Sequence, residues 1–128
     1  MLRILLLMFL IGSSSAMAFE VKFEWGDTPA CNTGWPDVIN SPAFEIVDVP
    51  DGTKKLKFFL KDLDAPGFTH GGGTVTYNSD GKIAAGAFTY KGPCPPNGQH
   101  RYQWTVTPFD RYGDKLGKAT AKRLFPEK

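Results

Sequence analysis

Two short runs hold the residues best suited to chemistry. Asp62-Leu63-Asp64 places two carboxylates two positions apart, and His100-Arg101-Tyr102 does the same for an imidazole and a phenol. Residues two apart in a strand share a face. The row Leu56, Phe58, Leu60 continues into Asp62 and then Asp64, while the row Val106, Trp104, Tyr102 runs back into His100. If both rows end at one edge of a sheet, they form a small polar pocket with aromatic walls, the usual layout of a ligand site. An imidazole can donate or accept a hydrogen bond there. A neighbouring carboxylate fixes its tautomer, and the phenol adds an O–H donor. A plainer reading stays open: Asp62 and Asp64 start the turn at Ala65-Pro66-Gly67, and His100 faces solvent beside Asn97-Gly98.

Other motifs are weaker. His70-Gly71-Gly72-Gly73 resembles an esterase oxyanion loop, but Ser41 and Ser79, the only serines after residue 18, lie in no G-x-S-x-G elbow. The glycines let the backbone approach another segment or a ligand. Gly92-Pro93-Cys94-Pro95-Pro96 is a stiff loop just before His100, either a fixed pocket wall or a rigid surface turn. Two Cys and two His at these spacings do not make a metal site, and no nucleophile is evident.

The elements that must position these residues read as strands. Lys55–Lys61 alternates Leu56, Phe58, Leu60 with a mostly charged row, and Arg101–Thr107 alternates Tyr102, Trp104, Val106 with a polar row. Weaker strand candidates are Phe19–Trp25, Phe44–Val47, Thr74–Tyr77 and Ala87–Tyr90, with turns at Pro50-Asp51-Gly52, Asn78-Ser79-Asp80-Gly81 and Asn97-Gly98. Only Leu116–Leu124 offers a turn or two of helix, and Gly117 weakens it. Gly (14) and Pro (10) are abundant for 128 residues, as expected for short strands joined by many turns. The fold class is mainly β, antiparallel, with few helices.

Met1-Leu2-Arg3, the apolar run Ile4–Ile11 and Ala16-Met17-Ala18 have the order of a secretory leader with an A-x-A cleavage site. The run falls short of the ~20 residues of a bilayer span, although a retained anchor is the alternative. The expected organisation is a leader over residues 1–18 and one domain over 19–128, exported to a periplasm or secreted. In such a compartment Cys31 and Cys94 are most simply a disulfide, with two buried free thiols as the alternative. Fifteen basic against 13 acidic side chains give +2, too balanced for a dedicated nucleic-acid binder.

Asp62-Leu63-Asp64-Ala65-Pro66 resembles the D-P-D-A-P motif of the phosphatidylethanolamine-binding protein family, also called Raf kinase inhibitor proteins. Gly92–Pro96 with His100-Arg101-Tyr102 resembles its G-P-C-P-P…H-R-Y motif. Ser41-Pro42 with Val49-Pro50-Asp51-Gly52-Thr53-Lys54 is similar to a segment of its bacterial branch. Leu63 departs from the first motif, and the loop after Pro66 is short. The resemblance implies two antiparallel sheets with small helices. It also implies a non-catalytic pocket for a small anion or phosphate headgroup, formed by Asp62, His70, Pro95, Pro96, His100 and Tyr102, with no cofactor and no metal. With protonated His70 and His100 as donors, such a pocket would bind more tightly near about pH 6 than about pH 8. An alternative is a protein-interaction or protease-inhibitor protein whose pocket is regulatory or vestigial. A third reading, an enzyme or metal-binding protein, would need the His/Asp set to converge.

Overall fold

The computed structural model describes residues 18–127. The expected leader thus lies outside the described residues, apart from Ala18. Nine strands follow: β1 (Glu20–Phe23), β2 (Val38–Asn40), β3 (Phe44–Val47), β4 (Lys55–Asp62), β5 (Gly72–Thr76), β6 (Lys82–Ile83), β7 (Thr89–Lys91), β8 (His100–Phe109) and β9 (Ala119–Phe125). They form a four-stranded sheet β5-β4-β8-β9, a three-stranded sheet β1-β3-β6 and a two-stranded sheet β2-β7. All pairings are antiparallel.

The alternation seen in the sequence fixes the layers. β4 buries Leu56, Phe58, Leu60 and Asp62 and exposes the residues between them. β8 buries Tyr102, Trp104, Val106 and Pro108. Facing these rows are Val21 and Phe23 of β1, Phe44 and Ile46 of β3, and Ile83 of β6, all buried. Aromatic rings join the layers: Phe44 lies 4.6 Å from Phe58 and 5.3 Å from Trp104, ring centre to ring centre. Tyr90 of the two-stranded sheet meets Trp104 at 4.9 Å. Aromatic pairs at such distances contribute about 0.5–1.5 kcal/mol beyond their buried area.

The reading of Leu116–Leu124 as helix is corrected. Ala119–Phe125 is β9, turning Thr120, Lys122 and Leu124 outward and Ala119 and Phe125 inward. Local propensity favours helix for Ala, Lys, Arg and Leu, but the open edge of β8 supplies a ladder from His100↔Phe125 to Val106↔Ala119, and tertiary pairing overrides the weak preference. Nor is any small helix present among the described residues. The Gly/Pro-rich connectors close instead by single turns, such as Thr28 N–H to Trp25 O at 3.0 Å. No helix among the described residues is long and apolar enough to cross a membrane.

Two of the three glycines serve chain packing, while Gly71 supplies a left-handed backbone position at φ 76°. A Cβ on Gly72 would collide with the Phe58 carbonyl, and one on Gly73 would stand 2.5 Å from Phe88 Cβ. β5 therefore lies tightly on β4 because Gly72 has no side chain, and Phe88 packs over Gly73 for the same reason.

Candidate functional site

β4 and β8 pair in the register Leu60↔Trp104, Lys61↔Gln103, Asp62↔Tyr102. Their apolar rows consequently end side by side. Asp62 closes β4 and His100 opens β8, and the two meet: Asp62 Oδ2 and His100 Nδ1 are 2.7 Å apart. The other carboxylate oxygen, Oδ1, accepts the backbone N–H groups of Asp64 (2.8 Å) and Ala65 (3.1 Å). Asp62 thus starts the turn with one oxygen and meets His100 with the other. Asp62 is only 3% exposed, which makes full use of both oxygens physically necessary.

His70 comes from the loop before β5 and is equally buried. Its carbonyl accepts the Lys91 N–H at 2.9 Å, and its Nδ1 lies 2.6 Å from the Lys91 carbonyl. A carbonyl can only accept, so Nδ1 carries the proton. This double clasp ties the loop to β7 and sets the His70 ring 5.6 Å from Tyr102 and nearly perpendicular to it. Burial holds the His70 pKa below the usual imidazole value, against the raising effect of the Lys91 carbonyl and the Asp62 charge.

Tyr102 sits at the centre, with the His100 ring 6.4 Å away on another side. Burial, and next the Asp62 charge, push the phenol pKa well up, so the O–H is a permanent donor. The hydroxyl is buried and lies near Asp62 and the Cys94 backbone, yet it has no well-formed hydrogen-bond partner among the described residues. An unsatisfied buried hydroxyl costs about 1–3 kcal/mol.

Asp64 and Arg101 play a different part. Asp64 accepts the Arg101 backbone N–H at 2.7 Å and Nη2 at 2.9 Å, and the Arg101 guanidinium holds its carboxyl below the ordinary range. Asp64 therefore fastens the turn to β8. Pro95 and Pro96 stand in the loop between β7 and β8, Pro95 half-buried and Pro96 exposed. That loop is anchored by the Cys31–Cys94 disulfide, its Cα atoms 5.1 Å apart, and by Gln99 Nε2 donating to Pro126 O at 2.7 Å.

The structure thus gathers Asp62, His70, His100 and Tyr102. Strand parity pointed to Asp62, His100 and Tyr102. His70 followed from the motif resemblance. Residue spacing alone does not show the rim. Phe68 packs edge-on to His70 at 4.7 Å. Trp35, 66% exposed, meets Phe68 at 6.2 Å, and Lys91 Nζ stands 5.7 Å from the Phe68 ring centre. Phe68 was legible as an aromatic two residues before His70, whereas Trp35 and Lys91 arrive only through the disulfide and the β7 clasp.

A cleft of about 1050 Å³ opens elsewhere, lined by Trp25, Ile39, Asn40, Ser41 and Glu45 among others, and none of the six expected site residues lines it. The site is placed at Asp62–His100 because titratable groups and an unpaired buried donor converge there. Among the described residues no group of three or more His, Cys, Asp or Glu side chains could hold a metal ion.

Chemically, both rings keep their proton on Nδ1 when neutral, His100 toward Asp62 and His70 toward Lys91. Each Nε2 becomes a donor only on protonation. Burial works against the protonated form of His70. The two histidines are therefore unequal, unlike the sequence-level expectation. Tyr102 O–H and His100 are the donors suited to an anion, while burial works against a charge on His70.

Solved structures share this architecture. A phosphatidylethanolamine-binding-protein homologue from Chlamydia trachomatis, CT736, superposes with a TM-score of 0.57 and 20% identity, covering 70% of this chain and 82% of its own. E. coli YbcL, described as a member of the mammalian PEBP family, superposes with a TM-score of 0.56 and 19% identity, covering 86% of this chain and 99% of its own. The chain has the PEBP fold. In sequence, a UPF0098 protein of Chlamydia pneumoniae is 30% identical over 55% of this chain and 60% of its own length. The matched part thus spans under two thirds of that relative. No family model matches the sequence. In PEBP-fold terms, the expected pair of antiparallel sheets is present as the four- and three-stranded sheets, with β2-β7 as a small third sheet.

Proposed function

We propose that this chain is an exported, non-catalytic binding module of the PEBP family whose pocket takes a small anion such as a phosphate headgroup. One observation carries the reading: the buried, unpartnered Tyr102 hydroxyl beside the hydrogen-bonded Asp62–His100 pair. An anionic oxygen placed there would accept from Tyr102 and from protonated His100, while His70 and Phe68 wall the site. The PEBP fold and the two motifs support the family reading. The disulfide supports an oxidising compartment, as does the leader-like order of the first residues.

The test is an NMR titration with inorganic phosphate and phosphorylethanolamine at about pH 6 and about pH 8, following the His100 and Tyr102 signals. The expected outcome is tighter binding at the lower pH, with shifts centred on His100. Equal affinity at both pH values, or no response at His100 and Tyr102, refutes the reading.

A further inference from the structure

The face of the four-stranded sheet that points away from the core has an unusual charge pattern. From β4 it presents Lys55, Lys57, Phe59 and Lys61, all exposed. From β9 it presents Lys122 and Leu124. The register aligns Lys61 with Gln103 and Gln103 with Lys122, so these two lysines share a row about 10 Å apart. Along β4 successive outward residues are about 7 Å apart. Threonines of β5, β8 and β9 fill most of the remaining outward positions, and none of the outward positions is a carboxylate. Asp64, at the margin, is already taken by Arg101. None of the four lysines forms an ion pair among the described residues. The whole chain carries only +2, so the four lysines leave the remainder net negative.

Lysines guard the edge strands of many sheets against pairing. That purpose does not apply to Lys55, Lys57 and Lys61, because β4 lies between β5 and β8; of the four, Lys122 alone stands on an edge strand, β9. Nor do they surround a purely polar surface. Phe59 is 41% exposed and Leu124 43% exposed on the same face. Cations without counter-charges and apolar side chains among them match an anionic bilayer surface. There lysine stems lie along the apolar boundary while the ammonium groups meet headgroups, and Phe enters the interface. A nucleic acid would call for guanidinium forks on phosphates, but Arg101, the arginine of this face, is held by Asp64.

We propose that this sheet face docks the protein on an anionic lipid surface. The pocket residues point to the opposite side of the sheet, so the proposal stands apart from the anion-pocket reading.

The experiment is flotation of the protein, purified from cells expressing the full chain, with vesicles of phosphatidylglycerol and phosphatidylcholine or of phosphatidylcholine alone. Neither contains an ethanolamine lipid. Binding to the anionic vesicles is expected, with none to the neutral ones, and raising salt to about 0.5 M should release it. Each lysine near an anionic surface is worth about a fivefold change in partition. The variant K57Q/K61Q/K122Q should therefore bind on the order of a hundredfold more weakly, and Phe59→Ser should weaken binding further. These side chains are exposed, and a thermal melt checks that the variants fold. His100→Gln should float like the unaltered protein, because the pocket is not involved. Equal binding to both vesicle types, no binding to anionic vesicles at low salt, or unchanged binding by the triple variant overturns the proposal. So does capture by DNA or an acidic peptide without vesicle binding, or loss of flotation in His100→Gln.

Discussion

Asp62 gives the sharpest test, because its two oxygens do separable work. In Asp62→Ala the Asp64 and Ala65 N–H groups and the His100 Nδ1–H all lose their acceptor. Leaving a buried polar group without its partner costs about 1–3 kcal/mol, so removing one acceptor shared by three donors should cost about 3–5 kcal/mol in this buried position. Asp62→Asn should cost only about 1–2 kcal/mol, since the amide oxygen keeps the two backbone donors and only the charge is lost. For a domain of this size the two variants should melt roughly 15 °C and 5 °C below the unaltered protein. The amide change has a second effect. With its oxygen committed to the turn, the Asn nitrogen faces His100 as a donor. The imidazole must then accept at Nδ1 and move its proton to Nε2. Neutral His100 thereby becomes an anion donor, and phosphate affinity should lose most of its pH dependence. Denaturant unfolding gives the stabilities, and the ring-nitrogen NMR shifts of His100 give the tautomer. If Asn proves as damaging as Ala, or if the tautomer and pH profile stay unchanged, the division of the two oxygens is wrong.

Replacing Cys31 and Cys94 together by Ser opens a loop closed over 63 positions. Loop-closure entropy predicts a loss of about 4 kcal/mol, measurable by urea unfolding, and a loss near zero would mean the loop is held by other contacts. The lowered His70 pKa has a definite sign. Below an ordinary imidazole pKa of about 6.5 the unfolded chain binds a proton that the buried ring resists. The stability due to neutral His70 is complete above that value and is lost as pH falls through the lower folded-state value. Comparing the protein with His70→Gln at about pH 7.5 and pH 5 should show the stability gap narrowing at the lower pH. A gap independent of pH would contradict the burial argument.

The parts of the fold legible in the sequence are those with long alternation. Lys55–Lys61 and Arg101–Thr107 correspond to β4 and β8, the structural ladder extending them to Asp62 and from His100 to Phe109. Phe44–Val47 coincides with β3. β2 and β6, three and two residues long, are too short to show a period. β9 was hidden because its residues favour helix locally and become a strand only beside β8. The site divides the same way. Parity places Asp62, His100 and Tyr102, because a strand projects its side chains at a fixed interval. It cannot place His70 in its β7 clasp, which depends on backbone contacts between distant loops. It also cannot separate the roles of the two histidines, which depends on what each Nδ1 meets.

The Cys31–Cys94 bond closes a covalent ring that contains β2 through β7, and with them Asp62 and His70. His100 and Tyr102 lie just beyond the ring's second cysteine. A protease cutting once anywhere within the ring would sever the backbone without parting the molecule. Both halves of the site would stay tethered through sulfur, able to re-pair β4 with β8 at an effective concentration no separate fragments could match. Wherever a protease reaches the chain, the bond works as insurance for the Asp62–His100 pairing as well as a brace for the fold.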